Sequence, residues 1–189
     1  MRADGSKCQQ EDFAQIAQMT EQIHRKNYKY DLSYEEIGVL IKRHMPMYAV
    51  EIEKFFRLIL FNYVFSNGDA HVRNFSAIRT DEGDYVLTPA YDLLWTRIHS
   101  PSESDMPLTL FKDRFTDAYH AHGFYTLHDF LEFGNVLGIK DSRILKIIEE
   151  FSDKEGGIDS LIDASFLRPD LENYYKENFK SKLSRLKGI

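Results

Sequence analysis

With 189 residues the chain has room for one domain, or one lobe of a larger enzyme, with a substantial core. Its 43% apolar and 14% aromatic content exclude a disordered chain, and a formal charge of -6 argues against a nucleic-acid-binding surface, which needs a clustered basic excess. The one cysteine, Cys8, excludes an intrachain disulfide, and no apolar run is long and charge-free enough for a membrane span or a signal peptide, so a soluble, cytoplasmic protein is expected.

Met1 to Cys8 reads as a polar lead-in without structure of its own. From Gln10 to Gln22, Phe13, Ile16, Ala17 and Met19 recur at helical spacing and predict a helix. Ser33-Tyr34-Glu35-Glu36 matches a capping box, and the helix behind it, with Ile37, Leu40 and Ile41 on one face, should stop near Pro46. From Ala49 to Phe65 apolar residues point all around a helix, which marks it as the buried central helix. Phe75-Ile78 and Tyr85-Leu87 flank the turn-rich Asp81-Glu82-Gly83-Asp84 and predict a short hairpin. Ser100-Asp105 is a polar loop, and Pro107-Phe111 is too short to assign.

Three helices complete the chain. One is capped by Thr126 and ends near Gly138, and one starts at Asp141 or Ser142. Gly156-Gly157 then breaks the chain, and Pro169 opens a charged last helix toward Lys187. Its basic residues, from Lys176 on, fit a solvated helix face, and His120, His122 and His128 fit exposed histidines rather than a zinc site. The architecture is mainly α with one small β-hairpin, a single domain over 1–189.

The densest polar stretch follows the central helix, F-S-N-G-D-A-H-V-R-N-F from Phe65 to Phe75. Asp69 and Asn74 have four residues between them, the D-x-x-x-x-N spacing of a kinase catalytic loop, in which the Asp handles the acceptor hydroxyl and the Asn holds magnesium. Asp92, in P-A-Y-D-L-L, follows the hairpin and supplies a second metal-binding oxygen. Asn67, Gly68, His71 and Arg73 support the loop: Gly68 permits close backbone approach, and Arg73 could neutralise a transferring phosphate. Singly, each has an ordinary explanation. Asp69 could be a turn residue, Asn74 and Asp92 caps, His71 a core histidine and Arg73 a surface charge.

The run F-N-Y-V-F-S-N-G-D-A-H-V-R-N-F-S with Y-V-L-T-P-A-Y-D-L-L, and Q-Q-E-D-F-A-Q at residues 9 to 15, resembles the C-terminal domain of HipA-type serine/threonine kinases, the toxins of bacterial toxin–antitoxin pairs. The likeness covers Lys7 to about Trp95 by motif and the helical tail by pattern only. It implies a kinase-like C-lobe with Asp69 as catalytic base, Asn74 and Asp92 as Mg2+ ligands, ATP as phosphoryl donor, a protein substrate and a HipB-like DNA-binding antitoxin as partner. The family's N-terminal lobe carries a phosphate-covering loop and an ATP-anchoring lysine, and neither is legible here. The chain therefore reads as the catalytic lobe alone, from a split gene, a truncated gene or an excised piece, with poor nucleotide affinity of its own. Two other readings stand beside it: a non-catalytic lobe that binds an antitoxin or a separate N-lobe chain, and a small-molecule phosphotransferase. If the hairpin returns the chain as argued, the Asp92 carboxylate and the Asn74 amide should face each other across a metal-sized gap.

Overall fold

The computed structural model describes residues 7–24 and 26–188. The lead-in read from Met1 to Cys8 therefore lies, up to residue 6, outside the described residues. The architecture is mainly helical with a three-stranded antiparallel sheet, ordered β1 (Gln10–Asp12), β2 (Ser76–Arg79), β3 (Tyr85–Leu87). The hairpin β2–β3 forms as its turn residues require, with Ala77 opposite Leu87 and Gly83 at φ 95° closing the turn.

The first expected helix does not run from Gln10 to Gln22. Gln10, Glu11 and Asp12 are a strand paired with Ile78, Ala77 and Ser76. Asp12 then caps the short helix α1 (Phe13–Ile16): its carboxylate accepts the Gln15 amide at 2.9 Å while the Gln15 side chain accepts the Asp12 amide. Gln18, left-handed at φ 57°, turns the chain out of α1, and a separate one-turn helix α2 follows at Glu21–His24.

Helix α3 (Tyr34–His44) begins at the Ser33–Glu36 capping box, which forms with both reciprocal hydrogen bonds. Its next two free amides, on Tyr34 and Glu35, donate to the carbonyls of Thr109 and Leu110. That explains the unassigned Pro107–Phe111 stretch: Leu108, Leu110 and Phe111 are buried, and the backbone bonds to a helix start instead of a strand.

Helix α4 (Tyr48–Val64) is the central helix expected from its apolar run. Ile52, Phe55, Phe56, Ile59, Leu60, Tyr63 and Val64 are buried. Phe55 meets Phe75 and Tyr34 edge-on, while Phe56 lies against Phe130 and Phe133 of α6 (Leu127–Val136). Two buried polar residues on α4 are satisfied. Glu51 accepts from Lys54 and from the Leu87 amide, tying β3 to the helix. Asn62 sits one turn from the end and reaches into the loop beyond it.

Around α4 stand α5 (Asp117–His122), which the sequence reading missed, then α6, α7 (Asp141–Ser152), α8 (Glu155–Asp163) and α9 (Pro169–Arg185). His120, His122 and His128 are exposed, as expected. Gly156 and Gly157 do not break the chain; both lie in the first turn of α8, and the break falls at Asp153–Lys154. The tail is not a purely solvated face either. Phe179, Lys182, Leu183 and Leu186 are buried, and Trp95 stacks on Tyr175 of α9 at 4.3 Å.

Lys182 is 2% exposed and lies 2.9 Å from Asp105, which also pairs with Arg97 at 3.0 Å and Arg185 at 2.6 Å. Burial pushes the Asp105 carboxyl up, but Lys182, Arg185 and Arg97 together more than reverse this and hold it below its usual range. Burial, with Arg97 and Arg185 adding to it against the pull of Asp105, lowers Lys182 to about 8. Asp105→Asn should cost about 3–5 kcal/mol by urea denaturation at pH 7, because it strands a buried ammonium. Between about pH 8 and pH 10 the unfolded chain binds more protons at residue 182 than the folded one does, so folding stability at this site rises with pH. Wild type should gain on Lys182→Met across that window; a flat difference would show that the ammonium is not held low.

Candidate active site

Helix α4 ends because Ser66 takes a left-handed conformation, φ 55°, and the Asn67 amide reaches back to the Asn62 carbonyl at 2.9 Å. This places Asn67, 3% exposed, at the root of the polar loop. Its side-chain amide donates to Asn62 Oδ1 at 2.9 Å and to the Asp92 carbonyl at 3.1 Å, while its oxygen accepts the Asp69 amide at 3.2 Å. One buried carboxamide thus joins the end of α4, the loop and the returning chain. Asp92 sits at φ 56°, an uncommon conformation for a non-glycine residue, and the Asn67 bond is one of the contacts that hold it.

The hairpin brings Asp92 back to Asn74, as the sequence reading required. The separation differs from the expectation. The two side chains touch, with Asn74 Nδ2 donating to Asp92 Oδ2 at 2.5 Å, and no metal-sized gap lies between them. Asn74 Oδ1 accepts the His71 amide at 3.1 Å across the 3-10 turn Val72–Asn74. Tyr91 anchors the return from the other side, its hydroxyl donating to the Arg73 carbonyl at 2.7 Å and lying 2.6 Å from Ser76 Oγ.

Asp69 stands on the same loop, partly exposed, with Oδ1 accepting the Tyr30 hydroxyl at 2.6 Å and lying 3.7 Å from Lys29 Nζ. Burial and the bond to Asp69 raise the Tyr30 phenol, so it stays a donor through neutral pH. His71 is 8% exposed, meets the Tyr30 ring edge-on, and leaves Nδ1 without a hydrogen-bond partner. Burial, reinforced by Lys29, lowers its pKa and keeps the imidazole neutral at pH 7. Gly68 has a steric role. Its amide donates to Thr96 Oγ1 at 2.6 Å, and a Cβ there would lie 2.5 Å from the Glu103 carboxylate carbon. Arg73 is drawn to Asp12, at 3.3 Å, where it braces the strand–helix junction.

Asp69, Asn74 and Asp92 therefore lie on one loop and its return, with Asn67, Gly68 and His71 packed beneath and Arg73 paired elsewhere. Lys29, Tyr30, Thr96 and Glu103 were not singled out from sequence. They join the site from segments 39 residues upstream and about 30 residues downstream, with no local motif to mark them. For magnesium, the donor types fit, a carboxylate on an exposed residue beside a carboxamide, but the Asn74 nitrogen faces Asp92 and its oxygen faces the His71 amide. Binding one ion between them requires the Asn74–Asp92 hydrogen bond to open and the Asn74 oxygen to leave the His71 amide for the Asp92 side.

The chain belongs to the family of HipA-like C-terminal domains, whose family model matches residues 2–156. A candidate kinase of Haemophilus influenzae is 28% identical over 167 residues, covering 82% of this chain and 48% of that protein. The candidate kinase Y4dM of Sinorhizobium fredii is 34% identical over 87 residues, 46% of this chain and 20% of that one. The chain thus spans about half the length of the first of these relatives and less of the second. Among solved structures, the Shewanella oneidensis HipA, HipB and operator DNA complex matches with TM-score 0.69 at 16% identity, over 99% of this chain and 46% of that one. The Helicobacter pylori proinflammatory kinase CtkA matches with TM-score 0.59 at 15% identity, over 97% and 70%. Both share the fold.

Asn67→Ala removes the support beneath both Asp69 and Asp92. It should lower stability by about 1–3 kcal/mol, since partners stay buried without their bonds. In NMR titrations with MgCl2, wild type should show shifts at the Asn74 side-chain amide and at Asp92, and Asp92→Asn should lose them. Unchanged Asn74 and Asp92 resonances in wild type would remove the metal assignment.

Proposed function

We propose that this chain is the catalytic lobe of a HipA-like serine/threonine protein kinase that transfers a phosphoryl group from ATP, with Mg2+, to a protein hydroxyl. The observation that carries this reading is the contact between Asn74 and Asp92, eighteen residues apart, beside Asp69 on the same loop. In it, Asp69 accepts the acceptor's hydroxyl proton, and Tyr30, bonded to Oδ1, leaves the other carboxylate oxygen for that proton. Asn74 and Asp92 would hold the magnesium ion, which when bound neutralises charge on the nucleotide phosphates. His71 packs behind the loop, 8% exposed and edge-on to the Tyr30 ring.

On this reading the ATP-anchoring lobe is supplied by polypeptide outside these 189 residues, in the same chain or another. Family membership and the HipA–HipB neighbour support a toxin–antitoxin role with a HipB-like DNA-binding partner, in the cytoplasm. No helix among the described residues is long and apolar enough to cross a membrane. A second reading, a non-catalytic lobe that binds an antitoxin or a separate lobe, draws on the Tyr30 hydroxyl bonded to Asp69 and on the closed Asn74–Asp92 pair.

The test is a magnesium titration of phosphoryl transfer by the chain completed with its nucleotide-anchoring lobe. Asp69→Asn keeps size and turn preference but removes the base, and should lower turnover about 10²–10⁴-fold at every magnesium concentration. Asn74→Ala should be partly rescued by excess magnesium. A folded Asp69→Asn protein with wild-type activity would sink the catalytic reading and leave the binding module.

A further inference from the structure

Asp69 and Asp92 carry negative charge on both sides of the candidate site, and a phosphoryl group passing between them brings its own negative oxygens. Cations have to offset that repulsion. Magnesium would do so on the Asn74–Asp92 side. On the Asp69 side the sequence offered Arg73, but its guanidinium is paired with Asp12 at 3.3 Å. Among the described residues, the cation paired with Asp69 is Lys29.

Lys29 lies in the 3-10 turn Tyr28–Tyr30, which packs against the turn Val72–Asn74 of the site loop. Its Nζ is 3.7 Å from Asp69 Oδ1, and its side chain is 33% exposed. That separation is beyond hydrogen-bond length, so the carboxylate attracts the ammonium without consuming its donors. The ammonium also lies 4.8 Å from the Tyr30 ring centroid, and that ring sits beside the base because its hydroxyl donates to Oδ1. The His71 imidazole, lowered first by burial, is lowered further by Lys29 and raised by Asp69 and Asp92, so all three charges lie around one ring.

We propose that Lys29 is a catalytic residue of the phosphoryl transfer, its ammonium contacting the oxygens of the transferring group. This rests on the kinase reading above. In the step, the acceptor oxygen bonds to the γ-phosphorus, and the bond from that phosphorus to the bridging oxygen breaks with its electron pair going to ADP. The hydroxyl proton passes to Asp69. Protonation removes the charge that held Lys29, and the ammonium is free to pair with the phosphoryl oxygens instead. One cation serves the base before transfer and the phosphate during it, a contact that strengthens only as the reaction proceeds.

The test is calorimetry on the chain completed with its nucleotide-anchoring lobe, using Mg2+, ADP and aluminium fluoride, a mimic of the phosphoryl group in transfer. Wild type should bind ADP with aluminium fluoride more tightly than ADP alone. Lys29→Met should lose about tenfold or more of that gain with its ADP affinity unchanged, and Lys29→Arg should recover part of it. In transfer assays Lys29→Met should lower kcat about 10²-fold and leave KM for ATP unchanged. Tyr30→Phe is the comparator, because it removes the shorter contact to Asp69; a residue that only positions the carboxylate would cost no more than Tyr30 does, and Lys29→Met is expected to cost more. Thermal melts confirm folding, and Lys29→Gln takes the place of a Lys29→Met that does not fold. A wild-type gain from aluminium fluoride in the Lys29 variant overturns the proposal, as does a wild type with no gain, or a Tyr30→Phe loss equal to that of Lys29→Met. An inactive Asp69→Asn beside a fully active Lys29→Met sinks the role of Lys29 alone, whereas a fully active Asp69→Asn sinks the kinase reading beneath it.

Discussion

The Asn67 carboxamide is the constraint on which the rest of the candidate site depends. It is buried at the point where α4 stops, and a buried amide has to find partners for its two donors and its oxygen. Those partners are Asn62 on the helix, Asp69 in the loop and the Asp92 backbone on the returning chain. Each of the three segments is therefore tied to the central helix. The left-handed backbone at Asp92 is held by the same set of bonds.

Two devices keep that arrangement in place from outside. Beside the sheet, Tyr91 ties the segment of Asp92 to Arg73 and Ser76, and Arg73 in turn holds Asp12 at the start of α1. At the opposite side, Trp95 stacks on Tyr175, and Asp105 gathers Arg97 and two cations of α9. The segment that carries Asp92 is thus clamped to the last helix, which lies beyond the span matched by the family model. The charged tail is a structural partner of the site loop, and its buried ammonium is stable only because a carboxylate stands beside it.

Much of this was legible in the sequence wherever local chemistry decides the outcome. The Ser33–Glu36 box, the apolar run of α4, the turn at Gly83 and Pro169 at a helix start each act over a few residues, and each did what its residue types require. The spacing of Asp69 and Asn74 with a later Asp92 marked the loop. The misreadings came where a distant partner prevailed over local pattern. Gln10–Asp12 is a strand because β2 offers its edge, and the reciprocal Asp12–Gln15 bonds start the helix only at Phe13.

The sequence by itself determined the helical class, the central buried helix, the hairpin that doubles the chain back, and the polar loop between them. Periodicity, caps and turn residues act through neighbours a few positions away and need no fold to be read. Only the tertiary structure decided that Asn74 and Asp92 touch, that Tyr30 and Lys29 meet Asp69, and that Lys182 is buried on Asp105. Those contacts join residues 18 to 77 positions apart, and their distances depend on how whole elements pack, which residue types and spacing do not encode.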